Sequence, residues 1–229
     1  MKKKYIIIII SAIVLLLVCV YIIRKTSPIE KKGIYIVCAG DSITAASYPE
    51  NLEAIFHLKK LGRKIEVINR GIPGHTSGQY LAYLQKSKIL DSTIINIVLL
   101  QLGTNDVRID TDHTGTEQFY NNMRTIINLF KSHTNSDLSH PEVFLSTIPP
   151  IVVEVPGFFN GESKRRVVEE INPAIFQLGE ETHCPVLDNY ALFMQNPKLL
   201  PEIHPNDEGY RAIADNWYKM LKPFIAEMP

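Results

Sequence analysis

The sequence lacks the motifs by which proteins commonly bind metals, nucleotides or nucleic acids. It contains no His-Glu-x-x-His motif, no paired Cys-x-x-Cys, no acidic calcium loop, no dinucleotide glycine fingerprint and no phosphate loop. Its formal net charge is zero, with 24 basic and 24 acidic residues, whereas binding to a polyanion requires a basic surface. We therefore predict no metal, no cofactor and no nucleic-acid partner.

Cysteine is also scarce, with three residues in 229. Cys19 lies in an apolar run, Cys38 in a predicted buried strand, and Cys184 just before another predicted strand. The spacing of Cys38 and Cys184 leaves a disulfide open, but two buried free thiols are the simpler expectation.

The N-terminus carries a long uncharged segment. Three lysines follow Met1, and an apolar run then extends from Tyr5 to Ile23, ahead of Arg24 and Lys25. As a helix this run would be about 28 Å long, which is close to the hydrocarbon thickness of a bilayer. We predict that residues 1–25 form an uncleaved membrane anchor, with a cleaved signal segment or a lipoprotein signal as alternatives.

The flanking charges favour a cytoplasmic N-terminus, which places the catalytic domain outside the cytoplasm. Secretion after signal cleavage is the alternative. Residues 26–32 read as a polar linker in which Pro28 stops the helix, and residues 33–229 are long enough for one globular domain.

Apolar runs with β propensity alternate with helical patterns from Gly33 onward. This alternation predicts a three-layer α/β/α sandwich, flavodoxin-like, with a five-stranded, mostly parallel sheet. The expected strands are Ile34–Ala39, Ile65–Asn69, Ile94–Leu102, Val143–Thr147 and Val186–Asp188. The expected helices are Pro49–Leu61, Ser77–Lys88, Thr116–Lys131, Lys164–Glu181 and Asp207–Lys222.

Reactive or hydrogen-bonding residues follow the predicted strands, where sites form in open parallel sheets. Gly40-Asp41-Ser42 follows the first strand, Asn69-Arg70-Gly71 ends the second, and Gly103-Thr104-Asn105-Asp106 follows the third. Near the C-terminus, His204-Pro205-Asn206 precedes a predicted helix. Each segment alone is ordinary turn or capping chemistry, but their joint occurrence in this order indicates a catalytic site.

These four blocks resemble those of the GDSL/SGNH hydrolases over roughly residues 34–222. The resemblance implies a serine esterase in which Ser42 attacks the acyl carbonyl and His204 is its general base. It also implies an oxyanion hole made of the Ser42 N–H, the Gly71 N–H and the Asn105 side-chain amide. The chemistry is consistent, since a serine hydroxyl needs an adjacent base and the developing oxyanion needs fixed donors.

One position departs from the family pattern, which has Asp three residues before the histidine. Here that residue is Pro201, and Glu202 is one residue closer to His204. Glu202 could orient the imidazole, a backbone carbonyl could do so in a Ser-His dyad, or the site could be impaired. Asp188 is a further, more remote candidate.

We therefore expect an esterase that acts on a small-molecule or glycan ester, with short-chain O-acyl groups such as O-acetyl as substrates. Two alternatives stay open: an O-acyltransferase acting on a cell-surface glycan, and a non-catalytic binding module with a decayed site. The substrate assignment rests on analogy and on the predicted location.

Overall fold

The computed structural model describes residues 33–87, 90 and 94–228. The predicted anchor or signal segment (residues 1–25) and the linker (residues 26–32) lie outside these residues. Within them, no helix is long and apolar enough to cross a bilayer.

Five strands form one sheet in which every pairing is parallel. They are β1 (Ile34–Gly40), β2 (Ile65–Gly71), β3 (Ile97–Gln101), β4 (Glu142–Ser146) and β5 (Val186–Leu187). The order across the sheet is β2-β1-β3-β4-β5. The strand after β1 therefore lies on one side of it, and the later strands lie on the other side. In such folds ligands bind at the carboxyl ends of the two strands where the order reverses, which are β1 and β3 here.

Helices cover both faces of the sheet. Those that matter below are α1 (Ser42–Ala45), α2 (Tyr48–Lys59), α3 (Ser77–Lys86), α4 (Thr116–Ser132), α5 (Gly161–Arg166), α6 (Asn172–Thr182), α7 (Asn189–Gln195) and α8 (Asp207–Glu227).

Two hydrophobic clusters, one on each face of the sheet, make the core. Alternate residues of β1 supply them: Val37 and Ala39 pack with α3, α4 and α6, whereas Ile36 and Cys38 pack with α2 and α8. This is the period of two that a strand covered on both faces requires. The predicted three-layer α/β/α architecture is confirmed.

Several predicted boundaries differ from the observed ones. The third strand begins at Ile97 rather than Ile94, because the Asn135 amide pairs with the backbone N–H and C=O of Ile95 at 2.9 and 2.8 Å. The predicted helix Lys164–Glu181 consists of α5, a π-helical turn at Val167–Ile171, and α6. Pro173 at the start of α6 has no N–H to donate, which accounts for the change in hydrogen-bonding pattern there.

Cys38 and Cys184 are both buried free thiols. Burial raises the pKa of each thiol, so both remain protonated and unreactive near neutral pH.

Position 71 requires glycine, because α1 approaches the end of β2 closely there. A Cβ atom at this position would lie 2.1 Å from the backbone nitrogen of Ala45. We predict that Gly71→Ala lowers the free energy of unfolding by more than about 2 kcal/mol, because backbone rather than a side chain must move. Urea unfolding measures it. Gly161→Ala is the control, since its Cβ would meet no atom within 4 Å, and an equal loss in both variants would contradict the packing argument.

Candidate active site

Ser42 stands at the first turn after β1. Gly40 ends the strand, the Asp41 carboxylate accepts a hydrogen bond from the Ile43 N–H at 3.0 Å, and Ser42 begins α1. The turn leaves the Ser42 side chain partly exposed at the carboxyl edge of the sheet. As the first residue of a helix, Ser42 also has a backbone N–H without an intrahelical acceptor.

His204 reaches Ser42 from the loop before α8. Its Nε2 lies 2.8 Å from Ser42 Oγ, although the two residues are 162 positions apart. The loop is held by Asn206, whose side chain accepts from the Gly209 N–H and donates to the Lys198 carbonyl, at 2.9 and 3.0 Å. This pairing of a hydroxyl with an imidazole is the arrangement that a serine nucleophile and its base require.

No carboxylate supports the imidazole among the described residues. Glu202 is exposed and makes no hydrogen bond or ion pair there, and the His204 ring bonds only to Ser42. Asp188 is used elsewhere, because its Oδ1 accepts from Thr147 Oγ1 and from the Ala191 N–H, each at 3.0 Å. Neither carboxylate orients His204 in this structure.

Asn105 lies after β3, beside the strand that carries Ser42. Its side chain is 8% exposed, and its amide nitrogen donates to the His75 carbonyl at 3.0 Å. An amide carries two hydrogens, so one N–H is anchored and the other is left for a ligand.

Gly71 does not offer the free donor that the sequence interpretation requires. Its N–H donates to Asn69 Oδ1 at 3.0 Å, so this hydrogen bond would have to break before it could bind an oxyanion. Gly74, three residues later, has a positive φ of 79°, a Cβ added there would meet no atom within 4 Å, and its N–H bonds to no described residue. Only the folded loop distinguishes these two glycines.

Comparison with known proteins identifies the family. Residues 38–212 match the model of the GDSL-like lipase/acylhydrolase family, which covers more than half of the chain and includes Ser42, Asn105 and His204. The chain belongs to this family. It is therefore a carboxylic ester hydrolase of the GDSL/SGNH type.

Individual relatives are distant but span almost the whole GDSL domain. A bovine protein described as isoamyl acetate-hydrolyzing esterase 1 homolog is 23% identical over 209 residues, covering 83% of this chain and 82% of the relative. The lipase/acylhydrolase from Enterococcus faecalis superposes with a TM-score of 0.68 at 22% identity, covering 83% and 96% of the two chains. Axe2, an acetylxylan esterase from Geobacillus stearothermophilus, gives 0.67 at 19% identity, covering 83% and 94%.

Asp106 joins two loops of this GDSL site. Its buried carboxylate accepts from the N–H of Ser77 at 3.0 and 3.1 Å and from the Ser77 hydroxyl at 2.6 Å, so it fastens the start of α3 to the loop after β3. The backbone carbonyl of Asp106 accepts from the buried Arg166 guanidinium at 2.7 Å. Asn105 and the loop that holds Gly74 are therefore fixed relative to each other.

Potential metal ligands do not gather in the part of the chain that the structure describes: no group of three His, Cys, Asp or Glu side chains could hold an ion there.

Asp41 carries a buried carboxyl group at the GDSL site, where a negative charge is poorly solvated. The side chain is fully buried, and its Oδ2 has no hydrogen-bond partner among the described residues. Burial raises the pKa of Asp41 to about 6, with the Asp106 charge adding to the rise and the hydrogen bond from the Ile43 N–H opposing it.

We predict that Asp41→Asn stabilises the protein at pH 7 but not at pH 4. The carboxyl has a higher pKa in the folded protein than in the unfolded chain, so its ionisation opposes folding. This cost is absent below about pH 4, grows as the pH rises to 6, and reaches about 3 kcal/mol above that. Asn keeps the acceptor for the Ile43 N–H and carries no charge. Urea unfolding of both proteins from pH 4 to 8 measures the difference, and a gap that does not change with pH would refute the assignment.

Proposed function

We propose that the protein hydrolyses short-chain O-acyl esters, such as acetates, through an acyl-serine intermediate on Ser42. The observation that carries this proposal is the 2.8 Å contact between Ser42 Oγ and His204 Nε2. The proposed substrates and the proposed location rest on other observations, which are given below.

The first chemical step forms the acyl-enzyme. Ser42 Oγ attacks the ester carbonyl carbon while His204 Nε2 takes the hydroxyl proton, which gives a tetrahedral intermediate with a negative oxygen. When the intermediate collapses, the bond to the alcohol oxygen breaks and His204 protonates that oxygen. A water molecule then attacks the acyl-serine with His204 again as base, releasing the acid and restoring Ser42.

The oxyanion is stabilised by three donors at the ends of neighbouring strands: the Ser42 N–H, the free N–H of the Asn105 amide, and the Gly74 N–H in place of that of Gly71. The hydrogen bond from Gly71 to Asn69 and the absence of such a bond at Gly74 support this choice. Each fixed donor of this kind contributes about 3 kcal/mol to transition-state stabilisation.

The catalytic machinery is a Ser-His dyad in this proposal. The exposed His204 imidazole has no carboxylate or backbone carbonyl bonded to it among the described residues, and Pro201 stands where the family pattern has Asp. Solvent at Nδ1 then replaces the orienting carboxylate, which reduces the rate without removing the chemistry.

Acetate esters are the proposed substrates because two similar proteins have names that refer to them. These are the homologue of an isoamyl acetate-hydrolyzing esterase and the acetylxylan esterase. We also propose that the N-terminal segment anchors the enzyme in a membrane with the catalytic domain outside the cytoplasm. The uncharged run Tyr5–Ile23 and its basic flanks support this, with secretion after signal cleavage as the alternative.

Ser42→Ala should lower kcat for p-nitrophenyl acetate by about 10⁴-fold or more, because it removes the nucleophile. The fold should be kept, because the partly exposed hydroxyl contributes little packing. A fluorophosphonate probe should label the wild-type serine and not the variant. Ser47→Ala is the matched control, since Ser47 is exposed and its side chain caps no helix N–H.

Unchanged turnover in Ser42→Ala would refute the nucleophile. Release of free acetate from wild-type enzyme in the presence of sugar acceptors separates hydrolysis from acyl transfer. Transfer product in excess of acetate would favour the O-acyltransferase, and a folded wild-type protein that resists labelling would favour a non-catalytic module.

Glu202→Gln tests the dyad. We expect kcat to change by less than about threefold, whereas loss of a true triad carboxylate costs about 10⁴-fold. Parallel measurement of His204→Ala, which removes the base itself, sets the scale. A fall in kcat for Glu202→Gln that approaches that of His204→Ala would mean that Glu202 moves onto the imidazole during turnover.

A further inference from the structure

A cavity lies at the carboxyl end of the strands, as Ser42 does. It has a volume of about 180 Å³ and is bounded by residues that follow β4 and β5 and by the first turns of α6. Thr147 comes directly after β4, and Tyr190 lies in α7 directly after β5. No step of the proposed reaction uses this cavity.

The wall of the cavity is mostly apolar, although the carboxylate of Asp188 also lines it. Val168, Pro173, Phe176 and the ring of Tyr190 line it. Val168 is 52% exposed and Phe176 is 42% exposed, so a ligand in the cavity would cover apolar surface of both.

The polar side chains of the wall direct their hydrogen bonds into the protein. Thr147 Oγ1 donates to Asp188 Oδ1 and accepts from the Tyr190 N–H, both at 3.0 Å. The Asn172 amide pairs with the N–H and C=O of Ile148 at 2.9 and 3.1 Å. The hydrogen bonds between Asn172 and Ile148 also hold the start of α6 against the chain after β4, so the cavity is formed before any ligand binds.

The sheet sets the distance from this cavity to the nucleophile. Strand β4 is two places from β1 and β5 is three places from it. At a strand spacing of about 4.8 Å, the cavity lies roughly 10 to 14 Å along the edge from the strand that carries Ser42. The near side of the cavity is therefore within reach of the alkyl chain of an ester bound at Ser42.

The proposed chemistry decides which end of the ester points toward the cavity. His204 protonates the departing oxygen, so the alcohol portion lies on the His204 side of the scissile bond. Ile203, the residue before His204, packs against the same hydrophobic cluster as Tyr190 of the cavity wall. The cavity wall and the residue before His204 therefore lie on the same face of the sheet, which is the side on which the alcohol portion of the ester would leave.

We propose that this cavity binds the apolar end of the alcohol portion of the ester, so that the enzyme prefers acetates of longer alkanols. The inference rests on the proposed function and deepens it by naming the substrate class. A hydrocarbon chain would cover the exposed faces of Val168 and Phe176 and remove them from water, which favours binding in proportion to the apolar area buried.

The experiment compares kcat/KM for ethyl acetate and hexyl acetate. Wild-type enzyme should favour hexyl acetate by at least about tenfold, because the added methylenes bury apolar surface in the cavity. Val168→Asp and Phe176→Ala should bring the ratio close to one while ethyl acetate is hydrolysed within about twofold of wild type. Hexan-1-ol should inhibit the wild type competitively and the variants weakly.

Leu58→Asp and Leu58→Ala are the matched controls, since Leu58 is a highly exposed residue of α2, on the opposite face of the sheet. They should keep the wild-type ratio. A second pair, ethyl acetate and ethyl hexanoate, tests the acyl side.

Three outcomes would overturn the inference. A ratio unchanged by both cavity variants would remove the cavity from the substrate path, and a ratio changed equally by the Leu58 variants would make the effect non-specific. A change for ethyl hexanoate but not for hexyl acetate would assign the cavity to the acyl chain. A wild-type enzyme that hydrolyses none of these esters would instead refute the proposed function.

Discussion

The contact between Ser42 and His204 is the constraint on which the site depends. It joins two segments 162 residues apart, and both partners lie in turns at the carboxyl edge of the sheet rather than in the sheet itself. A hydroxyl–imidazole hydrogen bond weakens steeply with small displacements. The close packing of α1 on Gly71 and the anchoring of the His204 loop by Asn206 therefore set the distance between Ser42 and His204, although neither Gly71 nor Asn206 reacts itself.

Buried polar groups hold the loops around Ser42, in addition to the apolar packing of the core. Asp106 binds the first residue of α3, Asn105 binds the loop that contains Gly74, and Asp41 caps the turn of Ser42. Buried hydrogen bonds fix direction as well as distance, which an oxyanion site needs. This arrangement leaves the buried Asp41 carboxyl poorly solvated when it is ionised, which is why its pKa is raised. Such local instability is characteristic of functional sites.

The substrate path proposed here follows from the order of the strands. Ser42 follows β1, near one side of the sheet, while Thr147 and Tyr190 follow β4 and β5 on the other. His204 lies beside Ser42 after β1, and Ile203 next to it packs on the same face of the sheet as Tyr190. In this proposal, the residues of the reaction and those of substrate selection follow different strands at one end of the sheet.

The sequence by itself determined the α/β/α layering, because strand periodicity is a local pattern, and its resemblance to the GDSL/SGNH hydrolases marked Ser42, His204 and Asn105 as candidates. It could not separate Gly71 from Gly74, since each lies in the same short block and only the folded loop shows which N–H is engaged. Nor could it decide whether Glu202, one residue from the expected position, reaches the imidazole. The tertiary structure decided both, because hydrogen-bond partners depend on distances between segments that are remote along the chain.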